Sequence, residues 1–412
     1  MQRRQFMQGI GVAAGLALST PRQAMASAAR SDDTVSTTRG RRLDAQYLDD
    51  VLLGSSYLGC GGGGGLADAR ELIAADLENG LEFRLLEVAE LADDDWVASP
   101  YTLGTLAPMT EEFKARLERI EPVSDLPVIA SFHALERYLG RRFAAVTIGE
   151  IGPLSTAEAL SLGARLGVPS LNADTVGRAT PEINQHSVRV AGHDITPAAG
   201  VTLLADEVIL RSVGHPSHEE EIFRALSEVS RDVGVTDAAI PGSIARQENV
   251  LVQDSIGLSA SIGAAVRQAR AHGDDPVEAA RVAGDGYLLF RGIVGDSTWA
   301  DTDGFLVGDV TLSGTGEFAG SELLLDYKNE HLVATRNGAV VATCPDLITM
   351  VDLESFEGIG NPEFVDGQEV AVLAFRANPL WRLPQGLEVF APRYFGYDLD
   401  YVPVEARISQ SR

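Results

Sequence analysis

Ala144-Ala145-Val146-Thr147-Ile148-Gly149-Glu150-Ile151-Gly152 is an apolar run that ends in a glycine, a carboxylate and a second glycine. Its β-branched centre predicts a buried strand over 144–148. Apolar residues then recur at helical spacing from Thr156 to Leu166, and Gly167 closes that pattern. A second apolar run, Val168 to Leu171, leads into Asn172-Ala173-Asp174. Strand, helix and strand in so short a span indicate a parallel sheet covered by helices. The N-terminal half is therefore read as an α/β domain with a mainly parallel sheet.

Upstream, Leu43, Tyr47, Leu48, Val51 and Leu52 follow a helical spacing, with Asp44 placed as a cap. That helix runs into Cys60 and the glycines 61–65, after which a second helix is predicted over Leu66–Glu78, stopping at Gly80. Downstream, Val208–Arg211 reads as a strand, and Glu219–Val229, Ser255–Ala271 and Pro276–Ala283 as helices. The Ser255 helix is rich in Ser, Gly and Ala, which predicts close packing against a backbone. Val188-Arg189-Val190, between His186 and His193, reads as an alternating strand. Beyond Phe290 short alternating runs dominate, among them Phe305–Leu312, Glu322–Tyr327, Ala339–Thr343 and Glu369–Phe375. They predict a β-rich (α+β) C-terminal domain, a sheet or small barrel. The boundary is placed near 205, giving an α/β domain over 43–205, a β-rich domain over 206–405 and a tail over 406–412.

A chain of 412 residues, 45% of them hydrophobic, is too long for one ordinary core and suits two domains. With 33 basic against 59 acidic side chains the net charge is −26, which disfavours nucleic acids and anionic membranes as partners. Cys60 and Cys344 are the two cysteines. They form no disulfide framework and no zinc ribbon, and a single bridge between them is less favoured than two thiols. The chain opens Met1-Gln2-Arg3-Arg4-Gln5-Phe6, continues through an apolar stretch from Ile10 to Leu18, and reaches Ala24-Met25-Ala26. Charged, apolar and small-residue regions in that order predict a signal peptide of twin-arginine type over 1–26, with a polar linker over 27–42. The expected location is periplasmic or secreted; a start at Met25 would leave the protein in the cytoplasm. No later stretch is apolar for long enough to span a bilayer.

The glycine run satisfies G-x-G-x-x-G trivially, but a helical pattern precedes it where a strand is required. Leu66 and Ala67 stand where a phosphate-binding loop needs Lys and Ser or Thr. Neither NAD nor ATP is expected. Bare backbone at Gly61, Gly62, Gly63 and Gly64, beside a helix start, can instead form a concave anion site. Glu150 and Asp174 stand at the carboxyl ends of the two expected strands, the edge where open α/β sheets bind ligands. With Arg178 nearby, such a carboxylate pair suits general acid–base work or a divalent metal held by Glu150 and Asp174; capping of the following helices is the plainer alternative. Asn329-Glu330-His331 adds an amide, a carboxylate and an imidazole behind a predicted strand, and Pro345-Asp346 reads as a turn. There is no H-E-x-x-H pair and no G-x-S-x-G elbow.

Six stretches taken together carry a resemblance. They are Leu58–Gly64, Gly149-Glu150-Ile151-Gly152, Asn172–Glu182, Tyr327–Leu332, Cys344–Ile348 and Pro392–Tyr401. In this order the chain resembles the S-methyl-thiohydantoin desulfurase-like family from about Leu43 to Val404. The resemblance implies an N-terminal α/β and a β-rich C-terminal domain. It also implies hydrolytic removal of a thiol or sulfide from a five-membered thiohydantoin or hydantoin ring. Glu150, Asp174, Arg178 and Glu330 would be catalytic, and Gly61–Gly64 and Asn329 would hold the substrate. Gly152-Pro153-Leu154-Ser155 and Asn172 depart from the family's pattern, which has Gly-Gly and Asn at the first place and an acid at the second. An exported binding protein, an inactive relative, a partner subunit of a hydantoinase-like complex and a homo-oligomer stay open beside the enzyme.

Overall fold

The computed structural model describes residues 39–104, 110–119 and 126–410. The expected signal segment, residues 27–38 of the linker and the last two residues of the tail lie outside the described residues. Nine strands form the first sheet: β1 (Arg41–Arg42), β2 (Arg84–Leu86), β3 (Trp96–Gly104), β4 (Phe143–Ile148), β5 (Ser170–Asp174), β6 (Ala198–Thr202), β7 (Glu207–Leu210), β8 (Asp232–Pro241) and β9 (Val252–Gln253). Their order is β1-β2-β5-β4-β3-β8-β6-β7, with β9 on β5. Seven more form the second sheet: β10 (Tyr287–Thr302), β11 (Phe305–Gly314), β12 (Glu322–Lys328), β13 (Glu330–Arg336), β14 (Ala339–Thr343), β15 (Leu347–Asp352) and β16 (Glu369–Phe375). Their order is β14-β13-β12-β11-β10-β16-β15, with every pairing antiparallel.

The α/β class and the β-rich second half are as the sequence predicts. The first sheet is mixed, however. Parallel pairing is confined to β2-β5, β5-β4 and β4-β3. The remaining pairings are antiparallel. Four residues join β6 to β7, and a turn that short can only make a hairpin. β8 then returns along β3, Trp96 facing Pro241 and Gly104 facing Asp232. Strands β7, β8 and β9 thus bring chain from beyond residue 205 into the first sheet.

Two helices tie the halves together. The Asp44 carboxylate accepts from Tyr47 N at 2.8 Å and starts α1 (Ala45–Leu58). After the glycine loop, α2 spans Leu66–Glu78; α3 spans Pro153–Leu166, opening with proline at its first turn; α4 spans Ser217–Ser230; and α5 spans Ser255–His272. The small residues of α5 let it lie backbone to backbone on α1. A Cβ at Gly54 would stand 1.7 Å from Ser259 O, and one at Gly263 would stand 1.9 Å from Asp50 O. Arg267 closes that contact with two bonds to the Asp50 carboxylate, at 2.7 and 2.8 Å. The far end of α1 meets the second sheet's loops through Tyr57 Oη to Phe356 O at 2.7 Å and Gly358 N to Ser56 Oγ at 3.0 Å. Among the described residues no helix is long and apolar enough to cross a membrane. One predicted strand is absent: Ser187–Val190 forms a single helical turn, because Val190 N bonds back to His186 O and Ala191 N to Ser187 O.

Candidate functional site

The glycine loop is the meeting point of the two halves. The chain leaves α1 through Gly59 and turns at Cys60, which has φ +53°; Gly61, Gly63 and Gly64 follow at φ +90°, +74° and +78°. Glycine is the residue that adopts such values without strain. Three loop carbonyls hold different partners. Cys60 O accepts from His331 N at 2.8 Å, Gly61 O from Asn361 N at 2.7 Å, and Gly63 O from Leu154 N and Ser155 N at 2.8 and 3.1 Å. Gly63 therefore caps the start of α3 with its carbonyl, which α3 needs because Gly152 has no side chain to do it. The missing side chains matter for space as well. A Cβ at Gly62 would stand 1.8 Å from Glu330 Oε1, and one at Gly63 would stand 2.4 Å from Gly152 Cα. The N–H groups of Gly61, Gly63 and Gly64 have no protein acceptor among the described residues.

Glu330 opens β13 and is 3% exposed. Its Oε2 has no hydrogen-bond partner. Burial, and then the charge of Glu150, push its carboxyl well above the usual range, so it is a neutral acid that can donate a proton. Glu150, partly buried after β4, is held differently. Its Oε1 accepts from Ser155 Oγ at 2.8 Å and its Oε2 from Thr180 N at 2.9 Å. Burial raises this carboxyl too, but both donors and Arg178 favour its ionised form. His331 is fully buried; burial lowers it to about 4, so its ring is neutral. Its Nδ1 faces Ile348 O at 3.1 Å, and its ring also makes a hydrogen bond with the Asn361 side chain.

The other residues singled out in the sequence are engaged in the frame of this junction. Asp174 accepts from Val176 N at 2.9 Å and Gly177 N at 2.6 Å, forming a tight turn after β5; burial pushes its carboxyl up to about 7. Arg178 is wholly buried and reaches across the two halves. It donates to Ala179 O at 2.9 Å, Asp346 O at 2.9 Å and His331 O at 3.2 Å, with its guanidinium 5.3 Å from the centre of the Phe390 ring. Asn329 clasps the strand turn, its Oδ1 accepting from Leu306 N at 2.9 Å. Asn172 bridges two acids, its Nδ2 donating to Glu87 Oε2 at 3.0 Å and to Asp254 Oδ1 at 2.9 Å. Cys60 and Cys344 are free, buried thiols, which burial pushes up to about 11 and about 12; neither is a resting thiolate.

Among the described residues no group of three or more His, Cys, Asp or Glu is placed to hold a metal ion. Both Glu150 oxygens and one Asp174 oxygen accept protein hydrogen bonds.

Two features were not found by reading the sequence. Asn361 sits in a loop without a recognisable pattern, yet its backbone and side chain pin the glycine loop against β13. A second polar cluster gathers Tyr101, His186, Glu219 and Asp237. Tyr101 Oη donates to Asp237 Oδ2 at 3.0 Å, and His186 Nε2 lies 3.8 Å from Asp237 Oδ1. Arg189 holds Glu219 at 2.6 Å, and burial, reinforced by the Asp237 charge, raises the Glu219 carboxyl. A shallow depression at Gln268, His272, Glu278 and Val282 lies at the other end of α5, roughly 25 Å along the helix from Ser255 at a rise of about 1.5 Å per residue.

Residues 46–212 match the family profile described as the S-Me-THD-like N-terminal domain, and residues 215–404 match that of the S-Me-THD-like C-terminal domain. No curated protein matches the chain. The crystal structure of a protein from Chromobacterium violaceum superposes with a TM-score of 0.69 at 23% identity, covering 89% of this chain and 100% of that one. At that identity the likeness speaks for the fold.

Proposed function

We propose, on the premise that this chain belongs to the S-Me-THD-like family of S-methyl-thiohydantoin desulfurase-like proteins, that it removes a thiol from a five-membered thiohydantoin ring by hydrolysis. The observation that supports this reading is the unequal carboxyl pair. Glu150 has two donors to hold its charge, whereas Glu330 has an oxygen with none and is pressed against the bare backbone of Gly62. Two carboxyls whose surroundings push them apart divide into a base and an acid.

Water adds to the ring carbon that carries sulfur and is double-bonded to nitrogen. Glu150 takes one water proton as the C–O bond forms. Negative charge on the adduct falls to the free N–H groups of the glycine loop. The C–S bond then breaks as Glu330 gives its proton to the departing sulfur. The hydroxyl proton of the adduct passes to the ring nitrogen, leaving a carbonyl. Return of the Glu150 proton to Glu330 resets the pair, and the net change is ring–SCH3 plus water to ring carbonyl plus methanethiol. Arg178 and Asp174 have positioning roles here: Arg178 holds His331 and the Asp346 turn, and Asp174 shapes the chain that leads to Arg178.

The test is to incubate purified protein with 2-methylthiohydantoin, following thiol release with a thiol-reactive dye and hydantoin by mass spectrometry. Release by the wild type and a loss of roughly 10²–10⁴-fold in both Glu150→Gln and Glu330→Gln are expected. No release by the wild type, or full turnover by Glu330→Gln, would overturn the reading.

A further inference from the structure

Of the 33 basic side chains two are lysines, Lys114 and Lys328. Lys328 ends β12 and stands opposite Glu330 in the β12–β13 register, with Asn329 turning between them at φ +56°. Its ammonium lies 3.8 Å from the centre of the Phe305 ring and bonds to Glu182 Oε1, in the first half of the chain. The other Glu182 oxygen accepts from Tyr394 Oη at 2.5 Å. Glu182 belongs to the turn that holds Glu150. Gln185 Oε1 accepts from Glu182 N at 2.9 Å and from Thr180 Oγ1 at 3.0 Å, and Thr180 N donates to Glu150 Oε2 at 2.9 Å. A short run of bonds thus joins the strand turn that carries Glu330 to the turn that fixes Glu150. The Lys328 side chain is 24% exposed and that of Glu182 13%, so water screens this pair less than one on the open surface.

We propose that Lys328 and Glu182 are positioning residues: their ion pair holds the turn bearing Glu330 against the turn that fixes Glu150, and so keeps acid and base at their working separation. The inference rests on the carboxyl pair proposed above. Both turns are short, so a shift of either partner carries to the carboxyl beside it. One residue separates Lys328 from Glu330, and Pro181 alone separates Glu182 from Thr180. A displacement of about 1 Å can cost about a hundredfold in rate. The pair also sets the charge around the acid. The charged groups that face Glu330 are Glu150, which raises its carboxyl, and Arg178 and Lys328, which favour its ionised form; the neighbouring His331 and Cys60 are uncharged. Around Lys328 stand Glu182 and Arg224, the latter 4.1 Å from the centre of the same Phe305 ring and bonded to Glu220. Loss of Lys328 alone leaves Glu182 anionic and favours the neutral acid, whereas loss of Glu182 alone leaves a bare cation and favours the ionised one.

Thiol release from 2-methylthiohydantoin is to be measured across pH for the wild type, Lys328→Met, Glu182→Gln, the double variant and Lys328→Arg. Each of the first two changes should lower kcat by about tenfold or more with KM within about threefold, and the double variant should fall no further than the worse single one. The alkaline limb of kcat, where Glu330 loses its proton, should move up in Lys328→Met, move down in Glu182→Gln and return near its wild-type place in the double variant. Lys328→Arg, which keeps the charge, should leave the limb where it is. Infrared titration of the protonated Glu330 carboxyl, assigned by its loss in Glu330→Gln, reads the same shifts without turnover. Should one single variant fail to fold, the direction taken by the other and the fixed limb of Lys328→Arg still decide. Losses that multiply in the double variant, or limbs that move the same way in both single variants, would overturn the inference and leave thiol release standing. A wild type that releases no thiol would remove the desulfurase reading; the infrared shifts would then decide the inference, opposite displacements sustaining it and no displacement sinking it.

Discussion

Asp346 and Glu330 are both buried carboxyls at the same junction, and they are treated in opposite ways. Asp346 is fully enclosed and both of its oxygens have donors. Its Oδ1 takes Ala377 N at 2.9 Å, Arg382 at 2.7 Å and Tyr401 Oη at 3.0 Å, and its Oδ2 takes Val404 N at 2.8 Å. Glu330, equally enclosed, has an oxygen with no donor at all. A satisfied carboxylate ties chain together; an unsatisfied one is held ready to exchange a proton. Burial alone does not separate structure from chemistry here, but the donors around each oxygen do.

The largest effect that can break this contrast is on stability. Asp346→Ala takes an acceptor from Arg382, which keeps Glu405, and leaves Ala377 N, Tyr401 Oη and Val404 N without theirs, and should lose about 3–5 kcal/mol in urea denaturation, whereas Glu330→Gln should stay within about 1 kcal/mol of the wild type. Equal losses would mean that Glu330 is a second structural tie. The rate effect is next: a drop of roughly 10²–10⁴-fold in thiol release for Glu330→Gln, read beside an unchanged melting temperature, assigns it to proton transfer. Gly62→Ala should cost about 1–3 kcal/mol, because its methyl must displace the Glu330 carboxyl. A Gly62→Ala protein with wild-type stability and turnover would show that the close approach is incidental.

The smallest expected change is a slope. The Asp174 carboxyl is raised to about 7, above the roughly 3.9 of an unfolded chain. Its contribution is therefore fully present below about pH 4 and is lost as pH rises through 7, by at most about 1.4 kcal/mol per pH unit. Asp174→Asn keeps an oxygen for Val176 N and Gly177 N and should flatten stability between pH 4 and 7. An unchanged slope would show that Asp174 does not titrate in this range.

Much of the frame was legible in the chain. The α2 limits, the Asp44 cap and the close backbone packing of α5 follow from capping chemistry and small-residue spacing, which are local; that α1 is the partner does not. The antiparallel half of the first sheet was not legible, because β8 pairs with β3 through a register no local pattern encodes. The glycine loop announced itself by composition, and Glu150 and Asp174 by their place at strand ends. What sequence could not show was which of these groups are already engaged. Arg178 reads as a cation beside two acids, yet its N–H groups go to carbonyls as far away as Asp346. Pro345-Asp346 reads as a turn because its partners, Arg382, Tyr401 and Val404, are all distant in the chain. Asn361 and Tyr101 gave no signal, since their roles depend wholly on what folds against them.

The bonds that close the junction join residues far apart in the order of synthesis. Tyr57 and Phe356 are 299 positions apart, Ser56 and Gly358 are 302, and Arg178 and His331 are 153. A nascent chain leaving the ribosome must therefore carry its glycine loop uncovered until nearly all of the second half has emerged. Contacts of such high order form late and slowly. A message cut short just before Glu330 would yield a polypeptide with the glycine loop and Glu150 but with no acid to set against them.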